Sequence, residues 1–162
     1  GSNSVVLANL AVVAAQMGQR VLVVDSDLRQ PQQHELFGLR NERGLTTATA
    51  GKEAVGGALQ TVPGVETLAV LTSGPLPASP SQVLANRRFD DLLAELAEQA
   101  DVILLDAPPI TAVADASVLA SKVDGVLLVL DAGQSKRDQA RQAKETLEKI
   151  NAHVVGVVLN NT

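Results

Sequence analysis

Three aspartates stand where they could act together. Asp25 closes the apolar run VLVVD, Asp27 follows two residues later, and Asp106 closes a second run, VILLD. In a buried parallel strand such a run delivers its last side chain to the carboxyl edge of the sheet, where α/β folds bind ligands. Acids at that edge cost desolvation energy unless a cation, a hydrogen-bond donor or a substrate proton stabilises them. Taken alone, Asp25 and Asp27 read equally well as two acids ending a strand in a solvated turn. Two separated strands that each end in Asp are more informative, because their carboxylates should meet at one edge. Hard oxygen ligands of this kind suit Mg²⁺, which keeps several waters and bridges to phosphate oxygens. The expected substrate is therefore a nucleoside triphosphate.

Stepping outward, the pattern around these acids alternates strand and helix. An apolar helix containing Leu7, Leu10, Ala11 and Ala14 is closed by Gly18, and the strand Val21 to Asp25 follows. A short helix spans Gln32 to Phe37. Residues 40–61 read as small helical turns, and a strand returns at Val65 to Leu71. In SGPLPASPSQVL the prolines force an extended crossing before a helix that Ser79 caps and Pro80 opens. Apolar positions from Val83 to Leu96 recur at helical spacing across one bend. The strand 101–106, a helix at 113–121, the strand 125–130, a helix at 135–150 and a last strand into Asn160 complete the chain. The predicted class is α/β, with a mostly parallel sheet covered by helices on both faces.

The 162 residues fit one domain with a substantial core. That core is aliphatic, since the chain has two Phe and no Tyr or Trp. The absence of Cys excludes a disulfide framework and thiolate chemistry. A formal charge of -5 argues against nonspecific nucleic-acid binding, and no apolar run reaches membrane-spanning length. His34 and His153 lack a matching ligand set and read as solvated or locally paired. Arg87 and Arg88 read as a charged helix face, Met17 as core filler, and Asp115 as a helix cap or local partner. Pro108 and Pro109 stiffen the turn after Asp106.

VLVVDSDLRQP and VILLDAPP resemble the second Walker-type motif and the Walker B motif of bacterial tyrosine kinases that act in capsule and exopolysaccharide synthesis. These belong to the deviant-Walker P-loop ATPases, together with cell-division-site and chromosome-partitioning ATPases. The resemblance continues in family order through NLAVVAAQMGQR, HELFG, SGPLPASPSQVL, RRFDDLL, ADASVLASKVDGVLLV and VVGVVLNN. It implies ATP and Mg²⁺ as cofactors and transfer of the γ-phosphoryl group to protein tyrosine. Asp25 would accept the proton of the attacking hydroxyl, Asp27 and Asp106 would hold Mg²⁺, and Ser4 would be a further ligand if it ends a phosphate loop. Arg29 and Asn160 would contact the nucleotide. Relatives imply a membrane-embedded activator of polysaccharide export, fused or separate, a homo-oligomer, and a cytoplasmic location at the inner face of the membrane. No nucleic-acid partner is expected.

The chain departs from the family at both ends. The family has a central first strand and a glycine-rich loop ending in Gly-Lys-Ser or Gly-Lys-Thr before the NLA helix. Here Asn3 stands where the lysine would be, and an uncharged Asn cannot supply positive charge to the β and γ phosphates. The family's terminal tyrosine cluster also has no counterpart among these residues. The expectation is a single kinase-like domain, residues 1–162, truncated at both ends, with a gap or altered strand order in mid-sheet. Two other functions fit the same residues: a partitioning-type ATPase switch, and a non-catalytic scaffold for polysaccharide assembly.

Overall fold

The computed structural model describes residues 2–109, 113–131, 136–149 and 154–160. They form two compact units that meet in sequence at Pro108 and Pro109. In the first, helix α1 (Ser2–Gln16) leads into strand β1 (Val21–Asp25). Short helices α2 (Gln33–Leu36), α3 (Leu45–Thr49) and α4 (Val55–Ala58) follow. Next come strands β2 (Gln60–Val62) and β3 (Val65–Leu71), helices α5 (Pro80–Ala85) and α6 (Arg87–Ala97), and strand β4 (Val102–Asp106).

The strand order is β2-β3-β1-β4. β1 is central, paired in parallel with β3 and β4, and its five residues are all buried. Burial on both faces explains why Val21–Asp25 is a continuous apolar run rather than an alternating one. The register aligns Val21 with Leu68 and Val102, and Val23 with Val70 and Leu104. Side chains of these pairs share one face, against which α1 packs Ala11 and Ala15. Leu22, Val24 and Leu71 belong to the opposite face. Helix α6 lies against β4 and turns Phe89, Leu92 and Leu96 inward, each fully buried side chain contributing about 1.5–3 kcal/mol.

The face of α1 differs from the expected one. Its buried positions are Ser4, Ala8, Ala11 and Ala15, whereas Leu10 is 43% exposed. The helix is apolar nearly all round, so periodicity cannot choose a face, and close approach to the sheet selects the small residues. Met17, expected in the core, is 79% exposed. It lies past the end of the helix, beside Gly18, which takes a positive φ of 93°. Strand β2 was also not expected. It forms an antiparallel hairpin with β3 through Pro63 and Gly64, and its three residues are too few to carry a periodic signal. The bend expected between α5 and α6 falls at Asn86, whose side chain caps α6 by accepting from the Arg88 amide at 2.9 Å. Ser79 and Pro80 begin α5 as expected, but the Ser79 side chain makes no capping hydrogen bond.

The second unit contains α7 (Val113–Ala120), β5 (Val126–Asp131), α8 (Lys136–Lys149) and β6 (Val154–Asn160). β5 and β6 form a parallel pair, and α8 buries Ala143 and Leu147. Ala140 and Ile150, expected on that same face, lie outside the described side chains. The strands thus form two separate ladders, with β4 as an edge strand of the first. Among the described residues no helix is long and apolar enough to cross a membrane.

Candidate active site

The end of β1 is built by the residues that follow it. Asp25 stands opposite Asp106 in the parallel register. Ser26 then locks the two strand ends together: its amide and hydroxyl both donate to the Asp106 carbonyl oxygen, at 2.9 and 2.7 Å. At the other end of the same strands, the Arg20 guanidinium and amide grip the Asp101 carboxylate at 2.9–3.4 Å. That pair is exposed and fixes register more than it adds stability.

Asp25 is fully buried. Its Oδ1 accepts from the Asp27 amide at 3.2 Å, and its Oδ2 from the Gln32 and Gln33 amides at 3.1 and 3.0 Å. The carboxylate therefore shapes the loop that carries Asp27. Asp27 in turn accepts from the Arg29 and Gln30 amides at 3.2 and 3.1 Å. Burial and the neighbouring Asp106 charge raise the Asp25 pKa to about 7, against the opposing pull of the Gln33 and Asp27 amides. Burial also raises the Asp106 pKa, opposed by hydrogen bonds from the Gln33 and Ser4 side chains. No lysine or arginine is among the groups that set either value.

The structure thus brings Ser4, Asp25, Asp27 and Asp106 together, all buried. Ser4 lies in the first turn of α1. Arg29 is exposed on the loop after Asp27. Asn160 ends β6 opposite Asp131, in the second unit, and its side chain lies outside the described residues. Asp115 is buried in the first turn of α7. His34 is locally paired, one of the two expected states: its Nε2 lies 3.8 Å from Glu35, while its Nδ1 is buried without a partner. His153 lies outside the described residues.

Gln33 is the residue that sequence reasoning missed. It is fully buried between Ser4 and Asp106, donating to both. Within RQPQQHE nothing separates it from its polar neighbours, so no sequence signal pointed to it.

Buried Asp25 and Asp106, with no lysine or arginine among the groups that set their charge, are chemically suited to a hard divalent cation. Mg²⁺ is one such cation, since it takes one or two carboxylates and completes its shell with waters and phosphate oxygens.

A family model described as ParA: NUBPL iron-transfer P-loop NTPase matches residues 2–162. Tyrosine-protein kinase YwqD of Bacillus subtilis (strain 168) is 40% identical over 157 residues, which are 97% of this chain and 66% of YwqD. Putative tyrosine-protein kinase CapB of Staphylococcus aureus is 39% identical over 157 residues, 97% of this chain and 68% of CapB. The solved kinase domain of Escherichia coli tyrosine kinase ETK superposes with a TM-score of 0.89 at 34% identity, covering 97% of this chain and 61% of that one. The chain therefore spans about two thirds of the length of these relatives. With the Asp25–Asp27 loop, the Asp106 strand end and the parallel fold in place, the chain belongs to the bacterial tyrosine-kinase family of P-loop NTPases.

Proposed function

We propose that this chain is the nucleotide-binding part of a protein-tyrosine kinase of the capsule and exopolysaccharide type, transferring the γ-phosphoryl group of Mg-ATP to tyrosine. The observation that carries this reading is the meeting of buried Asp25, Asp27 and Asp106 at the carboxyl edge of adjacent parallel strands. Asp27, Asp106 and Ser4 would hold Mg²⁺, directly or through water, and Arg29 and Asn160 would contact the nucleotide. Bound Mg²⁺ supplies charge neutralisation between the phosphate oxygens, the main requirement of phosphoryl transfer. Asp25 acts as the proton acceptor for the tyrosine hydroxyl, and a pKa of about 7 suits that task at neutral pH. The chain contains no Tyr, so the acceptor tyrosine comes from outside these residues. In the whole protein we place the domain at the cytoplasmic face of the membrane, with a membrane-embedded activator and like subunits as partners.

The test is calorimetric titration of the chain with a nonhydrolysable ATP analogue, with and without Mg²⁺, alongside Asp106→Asn. Binding that Mg²⁺ strengthens, with at least a tenfold loss of the Mg²⁺-supported affinity in the variant, is expected. A folded chain that binds no nucleotide would overturn the reading and leave the scaffold function, for which the Asn3 position argues.

A further inference from the structure

Gln33 connects more of the site than any other single residue. Its backbone amide donates to Asp25 Oδ2 at 3.0 Å, which holds the first strand-end carboxylate. Its side-chain Nε2 donates to Asp106 Oδ2 at 2.8 Å and to the Ser4 carbonyl oxygen at 3.0 Å. Both of those partners only accept, so the amide nitrogen must face them and the orientation of the carboxamide is fixed. The remaining atom, Oε1, is buried and has no hydrogen-bond partner. A buried acceptor without a donor is costly. The two donations from Nε2 account for the carboxamide nitrogen and leave its oxygen unexplained.

The missing partner must be a donor, in a site whose other side chains are three carboxylates and the Ser4 hydroxyl, which is already bonded to Asp106. A phosphate group brings further acceptors and cannot serve. Water bound to a divalent cation has its oxygen committed to the metal and both hydrogens available, so it matches a site made of acceptors. We infer that Gln33 is the positioning residue of the cation site: its amide nitrogen fixes Asp106 against the first turn of α1, and its amide oxygen receives a hydrogen bond from a cation-bound water. This rests on the Mg-nucleotide reading above and adds to it a residue that the family motifs do not include.

The experiment compares the full chain with Gln33→Met, which keeps length and volume but removes both polar functions. Mn²⁺ affinity is read by electron paramagnetic resonance at a saturating nonhydrolysable ATP analogue, and analogue affinity is read separately without metal. The expected result is a loss of Mn²⁺ affinity of about ten- to a hundredfold with metal-free analogue binding unchanged. Mn²⁺ affinity equal to that of the unaltered chain overturns the inference while the nucleotide site stands. A parallel loss of metal-free analogue binding also overturns it, because general packing would then be at fault. If the unaltered chain takes up no Mn²⁺, the underlying reading falls and this inference with it. Should Gln33→Met fail to fold, the side-chain amide resonances of Gln33 in the unaltered chain decide: they shift on addition of Mg²⁺ with the analogue, and unmoved signals overturn the inference.

Discussion

Asp25 combines two roles that pull its chemistry in opposite directions. Three backbone amides stabilise its charge, while burial and the Asp106 carboxylate oppose it, and the second effect wins, with a pKa of about 7. A buried acid whose folded pKa lies above its ordinary value favours the protonated form on folding. Its contribution to stability is complete below about pH 4, the ordinary carboxylate range, and declines as pH rises through about 7. The metal-free protein should therefore lose stability between about pH 4 and pH 8, with a ceiling of roughly 4 kcal/mol from this group. Urea midpoints across that range should fall in the unaltered chain and fall less steeply in Asp25→Asn; equal slopes would refute the assignment. The aspartates were legible from sequence because an apolar run ending in Asp states both a strand and its edge. The titration was not, because it depends on Asp106 lying on the adjacent strand, 81 residues away in the sequence.

At the scale of elements, the site depends on how tightly short segments meet strand ends. Gly44 begins α3, and the amides of Leu45 and Thr46 bond the carbonyl oxygens of Thr72 and Ser73 beyond β3, at 2.7 and 2.9 Å. A Cβ at Gly44 would strike the Thr72 carbonyl and the Gly74 amide, both rigid backbone groups. Gly44→Ala should cost about 1–3 kcal/mol. Gly56, in α4, has open space at the same position, and Gly56→Ala should leave stability unchanged or raise it by about 0.4–1 kcal/mol. Thermal denaturation of both variants checks the pair, and equal effects would mean that close approach at Gly44 does not matter. Elements such as β1, β3 and α6 were readable from their periodicity and end signals. The buried face of α1 was not, since a helix apolar on all sides offers several faces and the sheet accepts the one with the smallest side chains.

For the molecule as a whole, the division into residues 3–108 and 109–162 makes a further prediction. The first unit has its own core, in which Ala11 and Ala15 of α1 pack on Val21, Val23, Leu68 and Val70 of β1 and β3. A fragment ending at Pro108 should therefore unfold cooperatively, as followed by far-ultraviolet circular dichroism during heating. A broad, non-cooperative loss of signal would show that this core needs the second unit. The strands pair as two ladders, β2-β3-β1-β4 in the first unit and β5-β6 in the second. The sequence by itself determined the α/β class, the family, and three acids delivered to strand ends, because hydrophobic runs and their terminating residues are local signals. Only the tertiary structure decided that Asp25 faces Asp106 across one ladder and that Gln33 joins them to Ser4. Those contacts join residues 29 to 81 positions apart, and no local pattern of polarity encodes such a pairing.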